Sequence, residues 1–321
     1  MKFFVRALAL FLVAGWFSLQ AQPTSAADDR RGPERRVLNG HRFLPSGALT
    51  DPFVTTHVRS KTLAGLAGDF RSPTIDIAGD TLGVLEGDIA FFGLSFEYQQ
   101  NLFGWGALRL DVSGSGRAGI DEQALLADGV NTIYGVVFEG KGRLLYTGAS
   151  QLTAIARVSR KNIFGISPFD FAESIIDSGI SKSNDLVKEG NVHRFIGGLA
   201  GAHAWNEYLG TQLQVAVGWA QPFDDELPNE TVFQAGVVVD LDLVPLTGTP
   251  MGFVVSYDYD SFPEGGSDVA QGISSVAFGI AYTGRDDFSL GLEISRASIK
   301  QVDLEERFTA TQASLNLRYY F

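Results

Sequence analysis

The sequence of 321 residues contains no cysteine. A disulfide-stabilised scaffold, a thiolate metal site and a cysteine nucleophile are therefore excluded. Charged residues are also few, at 19% of the chain, against ~25% in an average soluble domain. Positive charge is the scarcer sign, with 25 Lys and Arg against 37 Asp and Glu and a net charge of -12. Because a nucleic-acid-binding protein needs a basic face, we expect no nucleic-acid partner.

Histidine is scarce too, which limits the enzymatic chemistry that the chain can support. The four histidines are His41, His57, His193 and His203, and the sequence has neither a G-x-S-x-G nor an H-E-x-x-H motif. We therefore expect no catalytic residue, no metal site and no cofactor. One enzymatic alternative stays open, a membrane-embedded hydrolase in which the fold brings a serine to His57.

Beyond the first 26 residues, no hydrophobic run is long enough for a transmembrane helix. At the N-terminus, Lys2 and Arg6 precede an apolar run over 7–17 and a polar stretch of small residues. This order predicts a secretory signal peptide, because the run is much shorter than the ~20 residues of a spanning helix. We predict cleavage after Ala26, with Ala21 as the alternative.

Residues 27–50 differ in composition from the rest of the chain. They combine proline and glycine with five arginines. This composition predicts an Arg-rich, solvated linker. A short plug or a partner-binding arm is the alternative for this segment.

Most of the remaining chain alternates between large apolar and polar or small side chains, which is the period of a β-strand. Ten segments show it clearly, and two weaker ones, 52–61 and 192–204, bring the predicted number of strands to twelve. The segment 192–204 is apolar on both faces, so its inner face cannot be assigned. The ten clear segments are 90–98, 106–114, 134–143, 151–158, 211–219, 232–243, 252–260, 275–283, 288–295 and 309–321.

The connections between these segments alternate in length. This alternation, with strands near the ~9–11 residues of a tilted membrane strand, favours a transmembrane barrel over a soluble sandwich. A short helix is predicted over 169–178, with Ser167 as its N-cap. The short connections are 101–105, 144–148, 205–210, 244–250 and 284–287, and the long ones are 62–87, 118–131, 159–190, 221–231, 261–272 and 298–307.

The chain ends in the alternating sequence NLRYYF, residues 316–321. This segment resembles the C-terminal strand of Gram-negative outer-membrane β-barrel proteins, which closes on an aromatic residue. The resemblance covers about residues 52–321. It implies an all-β, transmembrane, antiparallel up-and-down barrel of about twelve strands, over 51–321, in the cell outer membrane. It also implies two partners, the outer-membrane lipids and the barrel-assembly machinery, with Tyr319 and Phe321 as the assembly signal.

The family places both chain termini in the periplasm. Twelve strands then put every short connection in the periplasm and every long one outside the cell. Residues 27–50 become a periplasmic linker in this arrangement. Aromatic residues at both ends of the strands fit the two girdles of a membrane barrel.

The polar face of each strand lines the lumen in this arrangement. We predict an ion pair between Glu97 and Arg109, directly opposite each other across their hairpin, and an acidic stripe of four aspartates on one wall. Arginines are expected to face this stripe, and an open lumen should then favour cations. The lumen-lining candidates are Glu97, Arg109, Asp111, Arg157, Asp240, Asp242, Asp258, Asp260, Glu293 and Arg318.

The sequence therefore predicts a passive channel or transporter for small solutes. A membrane-embedded hydrolase and a structural or adhesive barrel with a filled lumen are the alternatives.

Overall fold

The computed structural model describes residues 36–71, 75–77, 80–83, 86–122, 125, 130–166, 187–221, 229–261, 272–300 and 307–321. The predicted signal peptide and the predicted helix over 169–178 lie outside these residues. Within them, no helix is long and apolar enough to cross a bilayer, a finding that has no bearing on strands.

The described chain consists almost entirely of β-strands. In chain order they are β1 (Val37–Leu38), β2 (His41–Arg42), β3 (His57–Arg71), β4 (Ile75–Ile77), β5 (Asp80–Gly83), β6 (Glu86–Leu102), β7 (Gly106–Gly119), β8 (Val130–Tyr146), β9 (Ser150–Ile166), β10 (Val187–Ala204), β11 (Leu209–Gln221), β12 (Glu230–Asp242), β13 (Met251–Asp260), β14 (Gly272–Tyr282), β15 (Phe288–Lys300) and β16 (Arg307–Tyr320). A one-turn helix, α1 (Val244–Thr247), lies between β12 and β13.

Twelve of these strands form one closed barrel. β3 and β6 to β16 follow one another around the ring, each antiparallel to its neighbours, and β16 pairs with β3 to close it. β1–β2 and β4–β5 are separate two-stranded hairpins. The predicted all-β, antiparallel, up-and-down barrel of twelve strands is therefore confirmed.

The strand boundaries differ from the predicted ones in two ways. The first barrel strand begins at His57 and not at residue 52 or 51, because residues 51–56 enter the lumen. Several strands also extend past their alternating segment, as β15 does to Lys300, because pairing with the neighbouring strand continues there. The connection at 301–306 is consequently shorter than the long loop predicted over 298–307.

The two faces of the barrel have opposite polarity. On β11, Leu213, Val215 and Val217 point outward and are 52–56% exposed, whereas Gln212 and Gln214 point inward and are buried. A water-soluble sandwich would bury these apolar side chains, so the soluble alternative is wrong. An apolar exterior around a polar interior is the arrangement of a barrel surrounded by lipid.

β10 is the strand whose inner face could not be assigned from its sequence. Leu199 points outward and the even-numbered positions point inward, since the buried residues of β10 are Val192, Ile196, Ala200, Ala202 and Ala204. The two faces look alike in the sequence because the inward face carries small and apolar residues where a segment of the chain packs inside the barrel.

Aromatic residues cluster where the strands meet the short connections, which we call the short-turn end. Tyr282 and Phe288 lie on either side of one such connection, and their rings are 6.4 Å apart. Their position matches the aromatic girdle of membrane barrels. The exposed members of this group are Tyr98, Phe103, Trp105, Tyr146, Trp205, Tyr282, Tyr319 and Phe321.

Candidate functional site

Residues 36–56 lie inside the barrel at its short-turn end, and we call this segment the plug. Its apolar side chains pack on the inner wall, where Leu38, Phe43 and Phe53 contact Ala202 and Ala204 of β10. The linker predicted over 27–50 is described from residue 36 onward, and there it is buried or half-buried rather than solvated, except for the exposed hairpin turn at Asn39 and Gly40. The described part of this segment therefore has the position of a short plug, which is the alternative given for it above.

The plug begins with a tight hairpin. Asn39 and Gly40 connect β1 to β2 and have φ angles of 47° and 81°. Two central residues of positive φ are typical of a type I′ turn, for which Asn-Gly is the preferred sequence. Asn39 N–H donates to the carbonyl of Gly148 at 2.6 Å, which fixes the hairpin at the short-turn end.

Inward side chains of the wall satisfy the backbone of the plug. Gln99 donates to the carbonyls of Phe53 and Thr55 at 3.0 and 2.8 Å, and Lys141 donates to the carbonyl of Asp51 at 2.7 Å. Further donors to plug carbonyls are Gln151 and Thr153, both to Pro52, and Gln212, to Leu44. A segment without regular structure can stay buried because its carbonyl groups are paired in this way.

A buried carboxylate holds the plug to the last strand. Asp51 lies 3.1 Å from Arg36 Nε and forms an ion pair with Arg318 of β16, which is 1% exposed. Burial raises the pKa of Asp51, but the charges of Arg36 and Arg318 outweigh it and hold this pKa below its usual value. Asp51 is therefore ionised inside the barrel at neutral pH.

A second polar anchor joins the plug to β12. His41 Nε2 lies 2.5 Å from Asp240 Oδ1, which also accepts the backbone N–H of Leu44 at 3.4 Å. Gln212 donates to the other oxygen of Asp240 at 3.2 Å. Gly210 allows this approach, because a Cβ atom there would overlap the His41 ring.

Two carboxylates on the wall organise the lumen-facing arginines. Glu97 lies 3.2 Å from Arg59 Nη1 and 3.1 Å from Arg109 Nε. Glu139 is fully buried, 3.1 Å from Arg109 Nη1 and 2.7 Å from Arg157 Nη2. Because each carboxylate is shared between cations, the three guanidinium groups are fixed along one side of the lumen.

The ion pair between Glu97 and Arg109 forms as predicted, but the predicted register is wrong. Glu97 is directly opposite Asp111, and Arg109 is opposite Gln99. The connection comprises residues 103–105, with Phe103 and Gly104 at positive φ, and this shifts the pairing. The contact between Glu97 and Arg109 is therefore diagonal, and Asp111 is 3.7 Å from Arg109 Nη2.

The inward faces of β11 to β15 carry acidic residues and no Lys or Arg among the described positions. Asp240 and Asp242 lie near the short-turn end, and Asp258 and Asp260 lie further from it. β13 is six strands from β7 in the ring of twelve, so its aspartates lie across the lumen from Arg109.

Each of the four aspartates has its own hydrogen-bond partners. Asp242 accepts the backbone N–H of Val244 and the hydroxyl of Thr283. Asp260 accepts from Arg194 at 2.6 Å, and Asp258 accepts from the Ser275 hydroxyl at 2.8 Å. Glu293, the fifth acidic candidate, accepts the N–H of Gly47 in the plug at 3.2 Å. None of the three arginines expected to face the four aspartates forms a described ion pair with them: Arg318 pairs with Asp51, and Arg109 and Arg157 pair with Glu139 across the lumen.

A cavity of about 260 Å³ lies between the basic and acidic sides, beyond the tip of the plug. Arg59, Arg109 and Arg157 line one side of it, and Asp258 and Asp260 line the other. Its remaining polar lining comes from Thr50 of the plug, Gln214 and Gln234.

His57, the histidine of the hydrolase alternative, has a hydroxyl and a carboxylate beside it. Its Nε2 donates to Glu97 at 2.8 Å, and its Nδ1 lies 3.3 Å from the Thr55 hydroxyl. Thr55, His57 and Glu97 are all at most 3% exposed. A substrate in the lumen has no access to the Thr55 hydroxyl. The three side chains therefore hold the plug to β3 and β6.

Three groups of functional residues do not follow from strand alternation alone. The composition of the plug favours a linker, although Asn39-Gly40 is a hairpin signal in the sequence. Arg59 lies in a segment of mixed faces, and alternation identifies Glu139 only as an inward position of β8. Pairing around the ring, which no single strand reveals, brings Arg59 and Glu139 into one ionic network with Arg109.

The barrel is similar to solved outer-membrane proteins. An outer-membrane channel from Pseudomonas putida F1 aligns with 87% of this chain and 100% of its own, with a TM-score of 0.53 and 11% identity. A FadL homologue of Pseudomonas aeruginosa aligns with 89% and 97% at a TM-score of 0.50 and 11% identity. The translocator domain of the autotransporter NalP from Neisseria meningitidis aligns with 84% and 89%, also at 0.50 and 11%.

No protein-family model and no curated protein matches the sequence. At 11% identity the structural likeness concerns the fold. It agrees with the closed ring of twelve antiparallel strands, the apolar exterior and the charged lumen. The chain has the fold of an outer-membrane β-barrel.

Proposed function

We propose that this protein is a passive outer-membrane channel for small solutes, whose periplasmic half is narrowed by its own plug. The observation that carries this proposal is the charged cavity inside the barrel, lined by Arg59, Arg109, Arg157, Asp258 and Asp260. A barrel that serves only as a membrane anchor has no need to keep five charged groups around internal space, because burying charge is costly.

The short-turn end lies in the periplasm in this proposal, as in other barrels whose turns are short on that side. The plug then starts from the periplasmic mouth. Arg42 donates to the carbonyls of Thr283 and Arg285 in one short turn, and Asn39 binds the turn at Gly148. The first described residues of the plug therefore lie at the periplasmic mouth in this proposal, which fits export through a signal peptide.

The plug is the part of the channel that controls its conductance. Wall side chains hold it largely through hydrogen bonds and ion pairs, as at Asp51 and Asp240, and water can replace such contacts. Displacement of the plug would widen the path between the cavity and the periplasmic mouth. We therefore expect current to depend on movement of residues 36–56.

A disulfide tests this dependence, because the native chain has no cysteine to interfere. A Cβ on Gly40 would lie 3.4 Å from the Cβ of Glu207, close to the ~3.5–4.5 Å of a disulfide. In planar bilayers, the variant Gly40→Cys/Glu207→Cys should conduct less after oxidation and recover after reduction. The single variants are the controls for the strain at Gly40, and oxidant should leave their conductance unchanged.

The burial of the plug also favours a second candidate, a structural barrel with a filled lumen. Leu38, Phe43, Leu44, Phe53 and Val54 are each at most 3% exposed, as in a permanent core. This candidate predicts no conductance in the native or the reduced protein. Native conductance that responds to the disulfide would reject it.

A further inference from the structure

The two sides of the cavity beyond the plug carry different polar groups. On the basic side, Arg59 donates to Glu97 through Nη1, and its Nε is buried without a hydrogen-bond acceptor. The adjacent Arg109 and Arg157 are held by Glu139. Arg59 itself also lines the cavity, so its guanidinium group lies beside the space that a solute would occupy.

The acidic side of the cavity carries Asp258, Asp260 and the amide of Gln234. Gln234 donates from Nε2 to Asp260 Oδ2 at 2.7 Å. This bond fixes the orientation of the amide, because only the NH₂ group can donate to a carboxylate. Its Oε1 is buried and has no hydrogen-bond donor. On the next strand, Asp258 accepts from the Ser275 hydroxyl.

The two sides lie across the lumen from each other. Asp258 is on β13, six strands around the ring from Arg109 on β7, and both residues line the same cavity. A solute that enters the cavity thus meets positive charge on one side and negative charge on the other. An anion alone would face Asp258 and Asp260, and a cation alone would face three arginines, so each would meet repulsion.

We propose that this cavity binds a small zwitterion, with its carboxylate on the Arg59 side and its ammonium group on the Asp258 side. The carboxylate would accept from Arg59, and the ammonium group would donate to Asp258. The cavity of about 260 Å³ suits a solute of several heavy atoms, since one water needs only ~10–15 Å³. This inference deepens the proposed channel function by naming its solute class.

The test uses the refolded full chain in detergent and isothermal titration calorimetry. The probe is 4-aminobutyrate, which carries both charges at pH 7, and butyrate and butylammonium are its singly charged analogues. We expect 4-aminobutyrate to bind about tenfold more tightly than either analogue, since each charge-assisted contact contributes an amount of that order. Equal affinity for the zwitterion and an analogue would overturn the proposal, and this comparison needs no variant.

Two variants assign the ends of the ligand. Asp258→Asn should weaken 4-aminobutyrate about tenfold and spare butyrate, whereas Arg59→Gln should weaken both. Asp242→Asn is the matched control, because Asp242 is on the same hairpin but binds Val244 and Thr283 and does not line the cavity. Unchanged affinity in a folded Asp258→Asn protein would overturn the assignment of the ammonium group.

The calorimetric and electrical results separate this inference from the proposed function. Conductance in bilayers without preferential binding of 4-aminobutyrate would overturn the zwitterion site and leave the channel. Binding without conductance would overturn the channel and leave the site.

Discussion

Asp51 joins the plug to β16, the strand that closes the barrel, and a substitution of Asp51 tests this contact. Asp51→Asn leaves Arg318 buried without its carboxylate partner. Removing one partner of a buried ion pair costs about 3–5 kcal/mol, so the free energy of unfolding at pH 7 should fall by that order. Urea unfolding in lipid vesicles measures it.

The difference in the free energy of unfolding between the native protein and Asp51→Asn should depend on pH. Arg36 and Arg318 hold the folded-state pKa of Asp51 below its usual value despite burial, which acts in the opposite direction. Its stabilising contribution is therefore complete above the unfolded-state pKa of about 3.9 and is lost as the pH falls below it. The difference between native protein and Asp51→Asn should stay constant from pH 7 to about pH 4 and shrink below.

Asp287→Asn is the control for both measurements. Asp287 also pairs with an arginine, Arg285 at 2.7 Å, but this pair is exposed on a short turn. Water screens such pairs, so the unfolding free energy should scarcely change. An equal effect of the two substitutions would mean that Asp51 is not buried in the assembled protein.

The polarity of the two barrel faces can be tested on one strand. Ile294 is 58% exposed on the outside near the middle of β15, whereas Gly291 points into the lumen with room for a Cβ. Ile294→Lys should destabilise by about 2–4 kcal/mol because it places a charge in the bilayer. Gly291→Lys should cost much less in the same vesicle unfolding measurement. The reverse order would mean that the exterior is not in contact with lipid.

At the scale of elements, the last strand both closes the barrel and carries the predicted assembly signal. Phe321 N–H donates to the carbonyl of Thr56 at 3.2 Å, and its side chain is 55% exposed beside Tyr319. We predict that Phe321→Asp lowers the amount of assembled barrel in outer membranes several-fold. Phe103→Asp changes a more exposed phenylalanine at the same end and should have little effect. Similar losses in both variants would remove the terminal aromatic from the signal.

The sequence predicts the strands well and their partners less well. Twelve strands follow from alternation because lipid and lumen impose opposite polarity on successive residues, as in β11. The register of β6 and β7 depends on backbone angles at Phe103 and Gly104, which alternation does not encode. Alternation does not predict the plug either, because its composition of arginine, proline and glycine is also that of a solvated linker. Its burial depends on wall partners such as Gln99 and Lys141, which lie far away in the sequence.

At the scale of the whole molecule, charge is separated around the ring. Inward cations lie on the part of the wall that includes β3, β7 and β9, and the inward faces of β11 to β15 carry only acidic charges among the described residues. The net charge of -12 alone favours cations. Three arginines at the cavity oppose this preference, so we expect native ion selectivity to be modest.

The position of an aspartate should therefore decide its effect on selectivity. Asp258→Asn/Asp260→Asn removes the acidic side of the cavity and leaves Arg59, Arg109 and Arg157, so the reversal potential in a salt gradient should move toward anions.

Asp240→Asn/Asp242→Asn removes the same charge closer to the short-turn end, where plug and turn groups already bind both carboxylates. This control should move the reversal potential much less. Loss of the contact between His41 and Asp240 should, however, loosen the plug and raise the conductance. The difference should fade in 1 M salt, where the Debye length is about 3 Å. Equal shifts in the two double variants would mean that ions respond to the total charge of the wall, and the cavity would lose its role as the selective region.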